Sequence, residues 1–304
     1  MRADLWKVIP MDVGRCSIGM RIILGNEYSD EVRLPFTLYS FLLRSSDRNV
    51  LVDLGPKSVE YTNDMFRRYG FFRTSPEGPP HPDDIVQRHG NLLSWLSHLG
   101  LTPANISDVI FTHMHGDHHG LHDAKDGGMC EDFPNAVFRA SRKGWEYNIS
   151  QRKDGHWNSY LDWGFGDFMA RAEREGRAVF ADDCEIVPGI STVYLGGHAI
   201  CSQAVKVQTE YGPVIITSDD IYTYDLLREG LIPVICTTQE HLLAAIRLLV
   251  DTAVREQAIL LPVHDPILGE LYESTGDGWL AEAKKLSQAA VEGFLKTQTR
   301  SQSP

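Results

Sequence analysis

The sequence predicts an α/β protein in which two sheets pack between outer helices. Three observations predict it. Segments rich in Val, Ile, Leu and Phe alternate with helical ones, and the strands-then-helix order of the first half returns in the second. No linker, internal repeat or low-complexity run separates the halves, so residues 1–304 are expected to form one domain with a polar tail (TQTRSQSP) from about 297. The chain is 42% hydrophobic and 23% charged, enough for a large core and unlike a disordered chain.

Taken in order, 5–11, 36–44 and 49–53 read as strands and 59–69 as a loop leading into a helix. The prolines of SPEGPPHP at 75–82 break any regular element, and a helix is expected over 85–98, ending near Gly100. A short buried strand at 107–111 (SDVIF) runs directly into THMHGDHHG, and another strand follows at 136–140. Residues 141–180 are partly helical and rich in aromatics; those between 145 and 168 could line a pocket or fill the core. Strands return at 192–195, 204–209 and 213–217, then a long amphipathic helix over Gln239–Glu256 and a strand at 258–262.

Composition excludes several classes. A net charge of −12, with no basic run longer than the Arg139–Lys143 stretch, argues against nucleic-acid binding. Cys16, Cys130, Cys184, Cys201 and Cys236 are scattered and odd in number, which fits reduced thiols better than a disulfide framework. The N-terminus has no apolar run of signal-peptide length, and no stretch of 18 apolar residues exists. A cytoplasmic protein without membrane or nucleic-acid partners is therefore expected, and a homodimer stays open.

The chemistry concentrates in His113, His115, Asp117 and His118, four side chains within six residues that follow a hydrophobic strand. A lone histidine there would be ordinary surface polarity. Four imidazole and carboxylate donors at HxHxDH spacing instead suit zinc and neighbouring first-row metals. Alternation puts His113 and His115 on one side, and Gly116 is expected to turn the chain so that Asp117 and His118 face another way. Two donor pairs with different aims can serve two metals about 3.5–4 Å apart.

HMHGDH at 113–118 resembles the signature of the metallo-β-lactamase superfamily, and further motifs follow the same order. LVDLG at 51–55 is similar to the strand-ending D-x-G segment, GGHAICSQAV at 196–205 to the loop donating a histidine, TSDDIY at 217–222 to the segment donating a bridging aspartate, and PVHDP at 262–266 to the last ligand loop. The resemblance implies an αββα sandwich of two mixed sheets and two divalent metals, zinc first, with manganese, iron or cobalt as alternatives. It implies one metal on His113, His115 and His198, the other on Asp117, His118 and His264, and Asp219 bridging them beside a hydroxide. Asp53 would orient a ligand histidine. Asp220, next to Asp219, is the neighbour most easily confused with the bridge; the spacing to Tyr222 favours Asp219. His119 and His122 are expected to be structural or supporting, His156 and His241 ordinary polar residues, and Cys201 a small buried residue.

Within the superfamily the sequence resembles the N-acyl homoserine lactonases. Its size suits a single-domain enzyme, its bridging ligand is aspartate, and Tyr222 stands three residues later, where those lactonases contact the substrate's carbonyl or leaving oxygen. The implied activity is hydrolysis of a small-molecule lactone, with Asp117, Asp219 and Tyr222 as catalytic residues. Alternatives on the same fold are an organophosphate triesterase, a hydrolytic dehalogenase, a thioesterase of the glyoxalase II type, or a metal-binding module without catalysis.

Overall fold

A computed structural model describes residues 5–56, 58–68, 70–71, 83–120, 128–152 and 163–300. Strand β1 (Lys7–Gly19) leads through the short helix α1 (Met20–Leu24) into β2 (Arg33–Arg44) and β3 (Asn49–Val52). Helices α2 (Val59–Arg68) and α3 (Leu92–His98) precede β4 (Asp108–Ile110) and β5 (Val137–Ala140), and α4 (Arg142–Ser150) and α5 (Trp163–Arg174) precede β6 (Ala178–Phe180). These strands form one sheet in the order β1-β2-β3-β4-β5-β6, antiparallel as far as β3 and parallel from β3 to β6.

The second sheet contains β7 (Glu185–Val187), β8 (Ile190–Tyr194), β9 (Gln203–Thr209), β10 (Gly212–Ile216) and β11 (Ile259–Leu261), in the order β11-β10-β9-β8-β7. Only the β10–β11 pair is parallel. Helices α6 (Tyr224–Glu229) and α7 (Gln239–Glu256) lie between β10 and β11 in sequence, and α8 (Ile267–Thr275) and α9 (Trp279–Arg300) follow β11.

Both faces of the first sheet are buried, and the period of two decides which core each residue enters. On β2, Phe36, Leu38 and Leu42 join the core that also holds Phe66, Leu96 and Phe168 from α2, α3 and α5. Tyr39, Phe41 and Leu43 join the other core, with Val205, Val214 and Ile216 of the second sheet and Leu249 and Phe294 of α7 and α9. The layers therefore run helix, sheet, sheet, helix.

Three segments depart from the sequence reading. Strand β1 continues eight residues beyond Met11, because a register shift between Asp12 and Gly14 switches which residues face the outer core. Ile9, Met11 and Val13 face it before the shift, Cys16 and Ile18 after it, so the alternation that marks a strand is interrupted. The helix expected over 85–98 is confined to Leu92–His98. Val86 instead exchanges backbone hydrogen bonds with Arg15, at 2.8 and 2.9 Å, and Asn91 caps the helix by accepting from the Ser94 amide. The polar tail does not begin at 297, since α9 runs to Arg300 with the Thr297 hydroxyl donating to the Phe294 carbonyl. The 75–82 segment, His122, His156, Trp157 and Tyr160 lie outside the described residues.

Candidate metal centre

The chemically active side chains collect along one edge of the two sheets, where loops leave the strand ends. Asp53 follows β3, the 113–118 segment follows β4, His198 lies between β8 and β9, Asp219 follows β10 and His264 follows β11. The D-x-G segment is shaped by its glycine. Gly55 has a positive φ of 62°, and a Cβ there would lie 2.2 Å from Val13. Leu54 donates its amide to the His118 carbonyl at 2.7 Å, tying this turn to the histidine segment.

The structure brings all seven expected ligand residues together, in two groups whose donor atoms lie within 4.8 Å of one another. One group is His113, His115, His198 and Asp219; the other is Asp117, His118 and His264. Asp219 faces both groups. Its Oδ2 lies 3.5 Å from His198 Nε2 and 3.7 Å from His113 Nε2, while its Oδ1 lies 2.9 Å from His264 Nε2 and 3.3 Å from His118 Nε2. Asp220 points elsewhere, accepting the backbone N–H of His198 at 3.1 Å.

The other ring nitrogens of these histidines are held by the protein, which aims the remaining nitrogen inward. His118 Nδ1 meets Asp53 Oδ2 at 2.9 Å, His198 Nδ1 meets the Ile235 carbonyl at 2.8 Å, and His264 Nδ1 meets the Thr37 carbonyl at 2.9 Å. Asp53 is buried and also accepts from the Thr112 amide and hydroxyl. Phe36 stacks on His264 with ring centroids 3.8 Å apart. Gly116 behaves differently from expectation. The turn exists, with the His118 amide donating to the His115 carbonyl at 3.0 Å, but Gly116 is not in the left-handed region. It lines the cavity instead.

Electrostatics favour neutral imidazoles at His113, His115 and His198 beside an ionised Asp219. Burial, and then the neighbouring histidines, hold His113 and His115 well below the usual histidine range; burial also lowers His198. His118 is pulled both ways: burial lowers it, but the Asp117, Asp219 and Asp53 carboxylates prevail and raise it. Burial opposes ionisation of Asp219, but His264, His118, His113 and His198 outweigh it and keep the carboxyl well below the usual range. Asp220 feels burial most and is pushed up to about 8.

Divalent metal ions fit this donor set. His113 Nε2 and His118 Nε2 are buried with no hydrogen-bond partner among the described residues, a cost that metal coordination would remove. His115 Nδ1 and His198 Nε2 converge to 3.0 Å, an approach two imidazoles make readily when they share a cation.

His115, Asp117, His198 and Asp219 of the cluster line a cavity of about 450 Å³. Its walls are apolar: Ile18, Ile22 and Ile23 from β1 and α1, Met65, Phe66 and Phe71 from α2 and the residues after it, and Val234 and Ile235. Tyr222 is buried beside the cluster, its hydroxyl 3.4 Å from His198 Nδ1, and burial pushes that phenol well above its usual range.

Trp145, Tyr147, Phe165 and Phe168 do not contribute to this wall. Trp145 stacks on Phe180, Phe165 stacks on His119, and Phe168 packs edge-on against Phe138, all three in the core, while Tyr147 is exposed. His119 is thus a buried packing residue; His241 sits exposed in the first turn of α7. Cys201 is buried with its thiol accepting from the Met114 amide, and burial raises it to about 11. Sequence reasoning missed the walls from α1 and α2; the apolar MRIIL and the YTNDMF stretch are the signals that could have shown them.

No protein-family model matches the chain. An N-acyl homoserine lactonase of Bacillus cereus is 24% identical over 261 residues, which is 85% of this chain and 93% of the relative. A solved N-acyl homoserine lactone hydrolase, with the product N-hexanoyl-L-homoserine at its catalytic metal center, superposes with a TM-score of 0.65 at 22% identity, covering 90% of this chain and 97% of the other. This is the metallo-β-lactamase fold. AidC, a dizinc quorum-quenching lactonase, shares that fold at only 13% identity, with a TM-score of 0.60 and coverage of 88% and 90%. The metallo-β-lactamase fold thus persists where little sequence identity does. Here, as laid out above, its strand ends carry a two-part cluster of histidines and aspartates.

Proposed function

We propose that this chain is a two-metal hydrolase that opens lactone rings, with N-acyl homoserine lactones as the substrate class. One observation carries the reading: seven ligand-type side chains gather in two groups, and four of them, His115, Asp117, His198 and Asp219, line a largely apolar cavity of about 450 Å³, a size that takes a small molecule. The described lining residues include two carboxylates and no lysine or arginine. A neutral molecule with a polar ring and an apolar tail suits that surface better than the anionic carrier of a glutathione thioester. The similarity to lactonases over most of both chains supports the same class.

In this proposal His113, His115 and His198 would hold one metal, Asp117, His118 and His264 would hold the other, and Asp219, which faces both groups, would serve the two together. Zinc is the metal these donors suit first, with manganese, iron or cobalt as substitutes. When bound, two such cations polarise a carbonyl and make water a strong nucleophile at neutral pH. The protein's own groups do the rest. The apolar walls hold the acyl tail and keep water from the ring. The Tyr222 hydroxyl donates a hydrogen bond to the oxygen that gains negative charge. Asp219 carries the proton given up by the attacking water to the leaving alkoxide.

The test is turnover by zinc-loaded protein on a panel of lactones, an activated thioester and a phosphotriester. Lactone opening well above the other reactions is expected. Phosphotriester turnover without lactone turnover would transfer the assignment to the triesterases, and no turnover at all would favour a metal-binding module.

A further inference from the structure

Asp219 and Asp220 are consecutive residues of one tight helical turn, Ser218–Asp220, and both are buried. Their carboxylates serve different ends of the same residue. Asp219 approaches the ring of His198, with Oδ2 3.5 Å from Nε2. Asp220 Oδ1 accepts the backbone N–H of His198 at 3.1 Å. The turn therefore grips His198 at its backbone and at its ring.

The surrounding loop is fitted to this grip. A Cβ on Gly197 would lie 2.2 Å from Asp220 Oδ1 and 3.0 Å from the Leu242 backbone, so only glycine lets the carboxylate approach. Thr237 donates its amide to the Gly197 carbonyl at 2.9 Å, and the Ile235 carbonyl holds His198 Nδ1 at 2.8 Å. Asp220 forms no ion pair with any described lysine or arginine. Burying a carboxyl group is costly unless hydrogen bonds recompense it; Oδ2 is buried without a hydrogen-bond partner among the described residues, and the bond that Oδ1 makes goes to a ligand's backbone.

We propose that Asp220 is a positioning residue for the metal centre: its carboxylate sets the place of His198 relative to Asp219, and thereby the affinity of the site that His198 completes. The inference rests on the two-metal reading above. The hydrogen bond carries it, so an uncharged acceptor of the same shape should serve.

The test uses zinc alone as the probe, with wild type, Asp220→Ala, Asp220→Asn and Gly197→Ala. Competitive titration against a chromophoric chelator gives the affinity of each zinc, and cobalt substitution gives the absorption spectrum of the centre. Asp220→Ala should weaken one of the two zincs by about 10–100-fold, the usual scale for lost support of a ligand, and change the cobalt spectrum. Gly197→Ala should do the same. Asp220→Asn keeps an oxygen at the Oδ1 position and should restore affinity to within about threefold, well inside that range. Folding of the metal-free variants is checked by circular dichroism, and the Asn variant supplies the decision if Ala fails to fold. The inference is overturned if Asp220→Ala binds both zincs as wild type does, or if Asp220→Asn is as weak as Asp220→Ala. Wild type binding fewer than two zincs would remove the two-metal reading itself and the inference with it.

Discussion

Replacing Asp53 by asparagine tests the logic of the centre without changing its shape. Asp53 accepts three donors on two oxygens: the Thr112 amide on Oδ1 at 2.8 Å, and the Thr112 hydroxyl at 2.7 Å and His118 Nδ1 at 2.9 Å on Oδ2. Its φ of 58° is one that asparagine tolerates, so the backbone adds no strain. An amide has one accepting oxygen, and either orientation fails somewhere. With the oxygen toward His118, the buried Thr112 amide faces an NH₂ group, at a cost of about 1–3 kcal/mol. With the NH₂ toward His118, Nδ1 must become the acceptor and the proton moves to Nε2, the atom aimed at Asp219 and Asp117 from 3.3 and 3.6 Å. A protonated Nε2 cannot ligate, and the loss should be about 10–100-fold in metal affinity, or about 1.4–2.7 kcal/mol. Two measurements cover both orientations. Zinc titration reads the second, and the melting temperature of the metal-free protein reads the first, at about 1.5–2 °C per kcal/mol for a chain of this size. Asp53→Asn with zinc affinity and metal-free melting temperature both unchanged would refute the reasoning.

Asp219→Ala should lower lactone turnover by at least about 100-fold and leave fewer than two tightly held metals, because one carboxylate faces both halves of the cluster; elemental analysis and an activity assay check this together. Tyr222→Phe keeps the edge-on packing against Phe36 and removes only the hydroxyl. It should cut kcat on lactones by up to about 100-fold, with metal content and melting temperature unchanged, and undiminished turnover would end the proposed role. Ile22→Trp should fill part of the apolar wall, raising KM about tenfold for long acyl chains, the equivalent of about two methylenes losing contact, while short-chain lactones are unaffected. Removing metal with a chelator should lower the melting temperature reversibly, since each site kept at 100 times its Kd contributes about 2.7 kcal/mol; an unchanged melting curve would count against metal-linked folding.

Where information was local, the sequence alone was sufficient. HxHxDH spacing after a hydrophobic strand marks a metal cluster because donor type and alternation are properties of six neighbouring residues, and the segments around His198, Asp219 and His264 could be ordered by resemblance along the chain. Helix α7 was legible end to end, because Thr238 offers a capping hydroxyl and the apolar period holds for 18 residues. What failed was non-local or hidden. The shift at Asp12–Gly14 interrupts the period of two, so the second half of β1 does not announce itself. Val86 reads as helix locally and is claimed by Arg15, 71 residues earlier in the chain, through two backbone hydrogen bonds. The aromatics at 145–168 could fill a core or line a pocket on composition alone, and only packing against Phe111, Phe138 and Phe180 assigns Trp145, Phe165 and Phe168 to the core. The cavity wall is the clearest case. Ile22, Phe66 and Val234 lie far apart in sequence and meet only because α1, α2 and the loop before α7 converge on one edge of the sheets. Periodicity says which side of an element is apolar; which apolar sides stay unfilled beside the metal cluster is settled by the tertiary packing of all of them.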